Sequence, residues 1–186
     1  TLIFTTAATR NVDAFTTTAP TSTVFGTKNT YTHNGTDDYI AYCFHSVSGY
    51  SDIGSYTGNG SASGPTVTTG FKPAFVLIKS STAATGWAIV DNTRSPTNPT
   101  TKTLFPELSN AEYTSTSSSD HYVDLNSNGF QIKNTNSRFN ANGETFIYMA
   151  FAETRDATFF GDTSGNGNNW TPNALNNTDV VSDSPV

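Results

Sequence analysis

Fifteen acids, three histidines and one cysteine are the groups in this 186-residue chain with reactive chemistry to offer, and their spacing assembles no reaction centre. His33, His45 and His121 sit in dissimilar contexts, without the short regular intervals of a zinc site. There is no Gly-x-Ser-x-Gly elbow, phosphate-cradling loop or His-Glu-x-x-His pair. Glycoside hydrolysis needs two carboxylates held about 5–10 Å apart. Asp37-Asp38, the one adjacent pair of acids, falls in a turn before an apolar stretch, where solvated acids are the rule. Asp162, Ser164 and Asn166 place oxygen side chains at alternate positions ahead of Gly167, which is half of a calcium loop. Asn173 stands where the bidentate Glu belongs, so any calcium would bind weakly, and an ion-free Gly/Asn loop is the expected form. No other cofactor is implied and no catalytic residue is assigned. Non-covalent chemistry has better candidates. Aromatic rings beside Asn and Asp can stack on sugars, and Tyr50, Tyr56, Tyr113 and Trp170 are the ligand-binding candidates. Trp87, next to Ala88-Ile89-Val90, reads as core.

The elements that must position these groups are strands. Only 34% of residues are apolar and 13% charged, below ordinary globular usage, and Thr, Ser, Asn and Gly make up nearly half of the chain. A chain poor in Leu, Met, Lys and Glu but rich in Thr, Tyr and Phe favours strands and turns over helix. Tyr39–Phe44, Phe75–Ile78, Trp87–Val90, Phe130–Lys133 and Phe146–Phe151 are the strand candidates. Tyr39–Phe44, Phe75–Ile78 and Phe146–Phe151 are apolar on both faces, which predicts strands buried on both sides. Asn-Gly pairs at 34–35, 59–60, 128–129 and 142–143 supply tight turns, and the Ser/Thr run 114–120 reads as an exposed loop. The expected fold is an all-β antiparallel sandwich, jelly-roll or concanavalin-like, with almost no helix. Cys43 has no partner for an internal disulfide and reads as a small buried hydrophobe.

An internal echo sets the expected organisation. Phe146, Gly161 and Gly165 lie 107 positions after Tyr39, Gly54 and Gly58, so a turn, an apolar strand and a Gly-Asn-Gly recur in register. On this reading residues 1–46 close a preceding β unit and residues 47–155 form a complete one. Residues 156–186 open a following unit or run as an extended arm. A single larger sandwich in which the two similar strands pair is the competing organisation. Under the repeat reading, Val24-Phe25 and Phe159-Phe160 should pack against a neighbour.

The net charge of −6 and nine scattered basic residues do not provide the clustered cations that phosphate binding needs, so nucleic acid is not an expected partner. No window approaches the ~20 apolar residues of a membrane helix, so membrane insertion is not expected either. The runs Asp38-Tyr39-Ile40-Ala41-Tyr42-Cys43-Phe44-His45, Gly49–Ser61 and Thr69-Gly70-Phe71-Lys72-Pro73-Ala74-Phe75-Val76-Leu77-Ile78-Lys79, continuing through Thr145–Glu153, resemble a repeated domain of uncharacterised function. That domain occurs in tail and other structural proteins of bacteriophages, especially marine ones. Asp162–Asn173, with its Asn168-Asn169-Trp170-Thr171-Pro172, is similar to the opening of concanavalin-like or laminin-G-like modules. The resemblance implies a non-enzymatic virion structural protein, a tail fibre or particle-surface module located on the exterior of a virion. Its expected partners are other virion subunits, in a homo-oligomer such as a trimer. The alternatives are a lectin-like adhesin module binding host surface glycan, and a capsid decoration protein.

Overall fold

The structure is a computed structural model and describes residue 18 and residues 21–28 and 36–152. The chain divides into two units, Thr1–Ala152 and Glu153–Val186, and the described residues belong to the first. Among them, four strands form the larger sheet: β1 (Ser51–Thr57), β3 (Pro73–Ser80), β4 (Ala88–Asp91) and β9 (Thr145–Ala152), in the order β1-β9-β3-β4. A second sheet has the order β2-β8-β7, from β2 (Thr66–Thr68), β7 (Val123–Asn126) and β8 (Gly129–Ile132). A short ribbon pairs β5 (Lys102–Thr103) with β6 (Tyr113–Thr114), and the one described helix, α1, spans only Ser137–Asn140. Every pairing is antiparallel. The all-β antiparallel class and the near absence of helix are as the composition implies.

Alternation along each strand decides what is buried. Phe146, Tyr148 and Ala150 of β9 turn to one side, with Val76 and Ile78 of β3, Ala88 and Val90 of β4, and Tyr56 of β1. They meet Val67 of β2, Val123 and Leu125 of β7, Phe130 and Ile132 of β8, and Phe139 of α1 in one continuous core. The two sheets therefore share a core in a sandwich-like arrangement. Aromatic rings carry much of it: Tyr56 stacks on Phe146 with centroids 5.1 Å apart, and Phe130 meets Tyr148 edge-on at 5.2 Å. Such contacts add about 0.5–1.5 kcal/mol each beyond area burial.

A buried amide locks α1 to the loop after β1. Asn140 is fully buried; its Nδ2 donates to Asn134 O and Ser61 O, both at 2.7 Å, and to Asn59 Oδ1 at 3.1 Å. Its Oδ1 accepts from Asn59 N at 2.8 Å. The Gly58-Asn59-Gly60 motif is shaped for this clasp. Gly60 sits at φ +66, the left-handed region glycine enters without steric cost, and donates its N–H to Asn140 O at 2.8 Å.

The stretch Tyr39–Phe44 departs from expectation. It is not a buried strand: it has no regular secondary structure, and Ile40 and Tyr42 are 81% and 80% exposed. Cys43, expected to be buried, is exposed with it. The physical reason is that no slot is open. β9, which carries the same pattern, already fills the place between β1 and β3. The outer edge of β1 is blunted by the turn before it, where Val47 N–H donates to Ser51 O and Ser51 N–H to Val47 O, both at 2.9 Å. Ser46 Oγ further accepts from Ile53 N at 2.9 Å. An edge capped this way resists strand addition. Phe75–Ile78 and Phe146–Phe151 do lie in sheet strands, Trp87–Val90 largely coincides with β4, and Phe130–Lys133 with β8. The Asn34-Gly35 turn lies outside the described residues.

Replacing Asn140 by Ala strips partners from Asn59 N–H and from two carbonyls. Given a cost of about 1–3 kcal/mol for each buried polar group left unsatisfied, Asn140→Ala is expected to destabilise the chain by about 3 kcal/mol in chemical denaturation. A loss below about 1 kcal/mol, the size of an ordinary surface change, would contradict the clasp.

Candidate functional site

Two surfaces stand out, on different elements. The first is the outer face of the larger sheet. The residues that alternate away from the core line up in register: Ile53 of β1 opposite Met149 of β9, Met149 opposite Leu77 of β3, and Leu77 opposite Ile89 of β4. Beside that row, Phe151 pairs with Phe75. All six are only half-buried. Phe151 gathers the rings of Phe44, Tyr50 and Phe75, with centroids 6.0–6.2 Å away. Phe44 and Tyr50 are themselves 58% and 54% exposed, so this apolar face runs on into the exposed stretch Tyr39–Phe44. Contiguous apolar surface of this kind marks an interaction site more often than chance exposure.

The second surface is a cleft of about 430 Å3 between the loop after β3, the β5–β6 ribbon and the start of α1. Ala84, Thr85 and Gly86 form one wall; Phe105, Tyr113, His121 and the segment Asn136–Arg138 form the rest. The loop is shaped from within: Ser80 Oγ accepts from Thr82 N and Ala83 N, and the buried Lys79 Nζ donates to Ser80 O at 2.7 Å and Ala83 O at 3.2 Å. Burial lowers the Lys79 pKa, opposed by the nearby Glu107 carboxylate. Asn136 caps α1 by accepting from Arg138 N at 2.9 Å, which aims the Arg138 side chain. Its Nη1 donates to Glu107 Oε1 at 2.9 Å and to Trp87 O at 3.0 Å, and its guanidinium lies 4.3 Å from the centroid of Phe105. Gly86 is there because the Arg138–Glu107 pair occupies the space a Cβ would take.

Opposite, Asp120 accepts from the Tyr113 hydroxyl at 3.2 Å and from Thr116 N at 2.9 Å. The amide of Thr116 leads in holding the Asp120 carboxyl below its usual range. His121 packs 4.7 Å from Tyr113 and 5.2 Å from Phe139. Its burial, with Arg138 adding repulsion and Asp120 opposing, lowers its pKa from 6.5 to about 4.

Of the aromatic candidates among the described residues, Tyr113 alone lines the cleft. Tyr50 stands on the outer sheet face instead, so the structure does not bring the two together. Tyr56 is not a ligand-binding residue: its ring is core and its hydroxyl donates to Phe139 O at 2.7 Å. The tyrosine sits on the inward parity of β1, a strand whose polar sequence hid that parity. Trp170 and the calcium-loop residues Asp162, Ser164 and Asn166 lie outside the described residues. Among the described residues no group of three His, Cys, Asp or Glu side chains converges on one point. Thr85, Phe105, His121 and Arg138 were missed as site residues because each comes from a different loop or element. No spacing signal joins them; only the fold does.

A two-sheet antiparallel module with an open apolar outer face and a separate polar-aromatic cleft is the class that this geometry defines. Residues 1–155 match a domain of unknown function, DUF7483, and the chain belongs to that family. No curated protein and no solved structure matches it.

The His121 shift fixes a pH dependence. Unfolded, the imidazole takes up a proton near 6.5, whereas folded it refuses one until about 4. Acidification through that window therefore favours the unfolded chain. Melting temperature is expected to fall as pH drops from 6.5 towards 5, above the ordinary carboxylate range of about 4, and His121→Phe should flatten that slope. An equal slope in wild type and variant would contradict a neutral, buried imidazole.

Proposed function

We propose that this chain is a structural module of an assembled particle, a bacteriophage tail-fibre or particle-surface component, whose exposed apolar surface is covered by another copy of the same fold. The observation that carries this reading is the half-buried outer face of the larger sheet running without a break into Tyr39–Phe44. A copy of this chain is the fitting partner because the segment has the pattern of β9. Ile40 and Phe44 stand where β9 has Ile147 and Phe151, and Cys43 stands where it has Ala150. Its alternation thus matches that of a strand apolar on both faces, although it forms no strand among the described residues. The phage setting follows from the resemblance of the sequence runs. The concanavalin-like opening at Asp162–Asn173 belongs to the same reading, as the start of a further β module.

The role is mechanical and recognitional, with no covalent step assigned. An apolar seam of this kind associates through burial worth about 25 cal/mol for each Å2 removed from water, and the β1 edge, being capped, directs a partner onto the face instead of into the sheet.

The full chain is expected to run as an oligomer, a trimer fitting a fibre, in size-exclusion chromatography with light scattering. The double variant Ile40→Asp, Tyr42→Asp should shift it to monomer, with a melting temperature that no longer depends on protein concentration and equals that of the dissociated wild type. A wild type that stays monomeric across the accessible concentration range would refute the assembly reading. Incubation with bacterial surface polysaccharides is expected to yield no cleavage products by mass spectrometry; depolymerisation abolished by replacing a single acid would refute the non-enzymatic role.

A further inference from the structure

We infer that the cleft between Thr85, Tyr113, His121 and Arg138 is a binding site for a neutral pyranose ring, such as a terminal or internal residue of a surface glycan. The inference stands apart from the assembly surface, which lies on other residues.

The first ground is an uneven distribution of unmet hydrogen bonding. Buried polar atoms are nearly always paired, and among the described residues five buried side-chain atoms are not: Thr85 Oγ1, Thr100 Oγ1, Thr103 Oγ1, Glu107 Oε2 and His121 Nδ1. Three of the five belong to this one site. Thr85 and His121 line the cleft, and Glu107 holds the Arg138 that lines it. His121 is only 7% exposed, so its unpaired nitrogen sits deep in the wall. Such atoms are costly to leave unmet, and their clustering at the wall of a cleft marks a surface suited to receive hydroxyl groups. Both Thr85 and His121 are shielded in the described form, so engagement requires a rotation of the Thr85 side chain or of the Tyr113 ring.

The second ground is shape and apolar lining. The volume of about 430 Å3 falls within the ~300–1,000 Å3 of small-molecule sites. Phe105 and the 39%-exposed Tyr113 present rings 6.2 Å apart, and the Tyr113 hydroxyl donates to Asp120 at 3.2 Å. The C–H face of a pyranose stacks on such a ring, while its hydroxyls require the mixed donors and acceptors that Ser137 and Asn136 offer around the rim and that Thr85 offers once its side chain turns.

The third ground is charge. Arg138 is neutralised by Glu107 at 2.9 Å, and Asp120 lies beside Tyr113. An anionic ligand would meet these carboxylates without an uncommitted cation to pay for its desolvation. A neutral polyol meets no such barrier. The imidazole of His121, neutral near pH 7, serves as a hydrogen-bond partner and adds no charge.

The test is saturation-transfer difference NMR on the full chain with the methyl glycosides of glucose, galactose, mannose and N-acetylglucosamine, and with methyl glucuronide as the anionic counterpart. At least one neutral glycoside should show saturable transfer to its ring C–H protons. Tyr113→Ala should weaken that binding at least tenfold while leaving the oligomeric state unchanged. Tyr50→Ala, on the outer sheet face, should leave binding unchanged, and the glucuronide should bind more weakly than the glucoside. No saturable transfer from any neutral glycoside overturns the proposal. So does binding that survives Tyr113→Ala, or that is lost in Tyr50→Ala, or a preference for the glucuronide.

Discussion

The strand that everything else answers to is β9, which is apolar on both faces and lies between β1 and β3. Its inward residues Phe146, Tyr148 and Ala150 are covered by the second sheet. Its outward residues Ile147, Met149 and Phe151 remain half-buried. Because β9 pairs with the first strand of the larger sheet along Ser51–Thr57 and with β3 along Pro73–Ser80, it closes the module across the longest sequence separation in the fold. A strand placed there has its inner face fixed by the core, and the demand of its outer face passes to whatever the module meets.

The stretch Tyr39–Phe44 follows from the same constraint. It carries β9's alternation, yet the β9 position is filled and the β1 edge is folded over by Ser46 and Val47. An apolar strand pattern left at about 80% exposure at Ile40 and Tyr42 is costly for an isolated chain. The cost is removed when such a segment and the outer face are buried together, which is why assembly is the reading that accounts for both at once. The cleft answers to a different part of the fold. It rests on the Arg138–Glu107 pair, the Asn136 cap and the short β5–β6 ribbon, none of which touches β9's outward side chains. The proposed assembly surface and the proposed ligand cleft therefore lie on different residues.

How much of this was legible in the sequence differs sharply between elements. β3 and β9 announced themselves by continuous apolar runs, although their outer faces are only half-buried; the Asn-Gly pairs at 128–129 and 142–143 fall at turns, whereas 59–60 lies in a bend after β1, and all three glycines take positive φ. β1 was invisible: Ser51-Asp52-Ile53-Gly54-Ser55-Tyr56-Thr57 has too few apolar residues to show a period, and it is a strand because β9 needs a neighbour. Tyr39–Phe44 misled for the opposite reason, since its two-faced apolar pattern reads as a buried strand whereas the stretch is exposed and forms no strand. Tyr113, singled out from its type and polar context, lines the cleft. Arg138, His121 and Thr85 were not singled out, because their meeting depends on the register of β5 against β6 and on a four-residue helix that no periodicity reveals.

The most direct measure of the central claim is the reactivity of Cys43, whose thiol is exposed in the single chain and sits within the segment assigned to the contact between copies. Maleimide labelling of the native full chain should be slow in the concentrated, assembled state and rise towards the rate of an unhindered thiol on dilution or in the Ile40→Asp, Tyr42→Asp variant. Equal, fast labelling of Cys43 in both states would contradict the claim that another copy covers this surface.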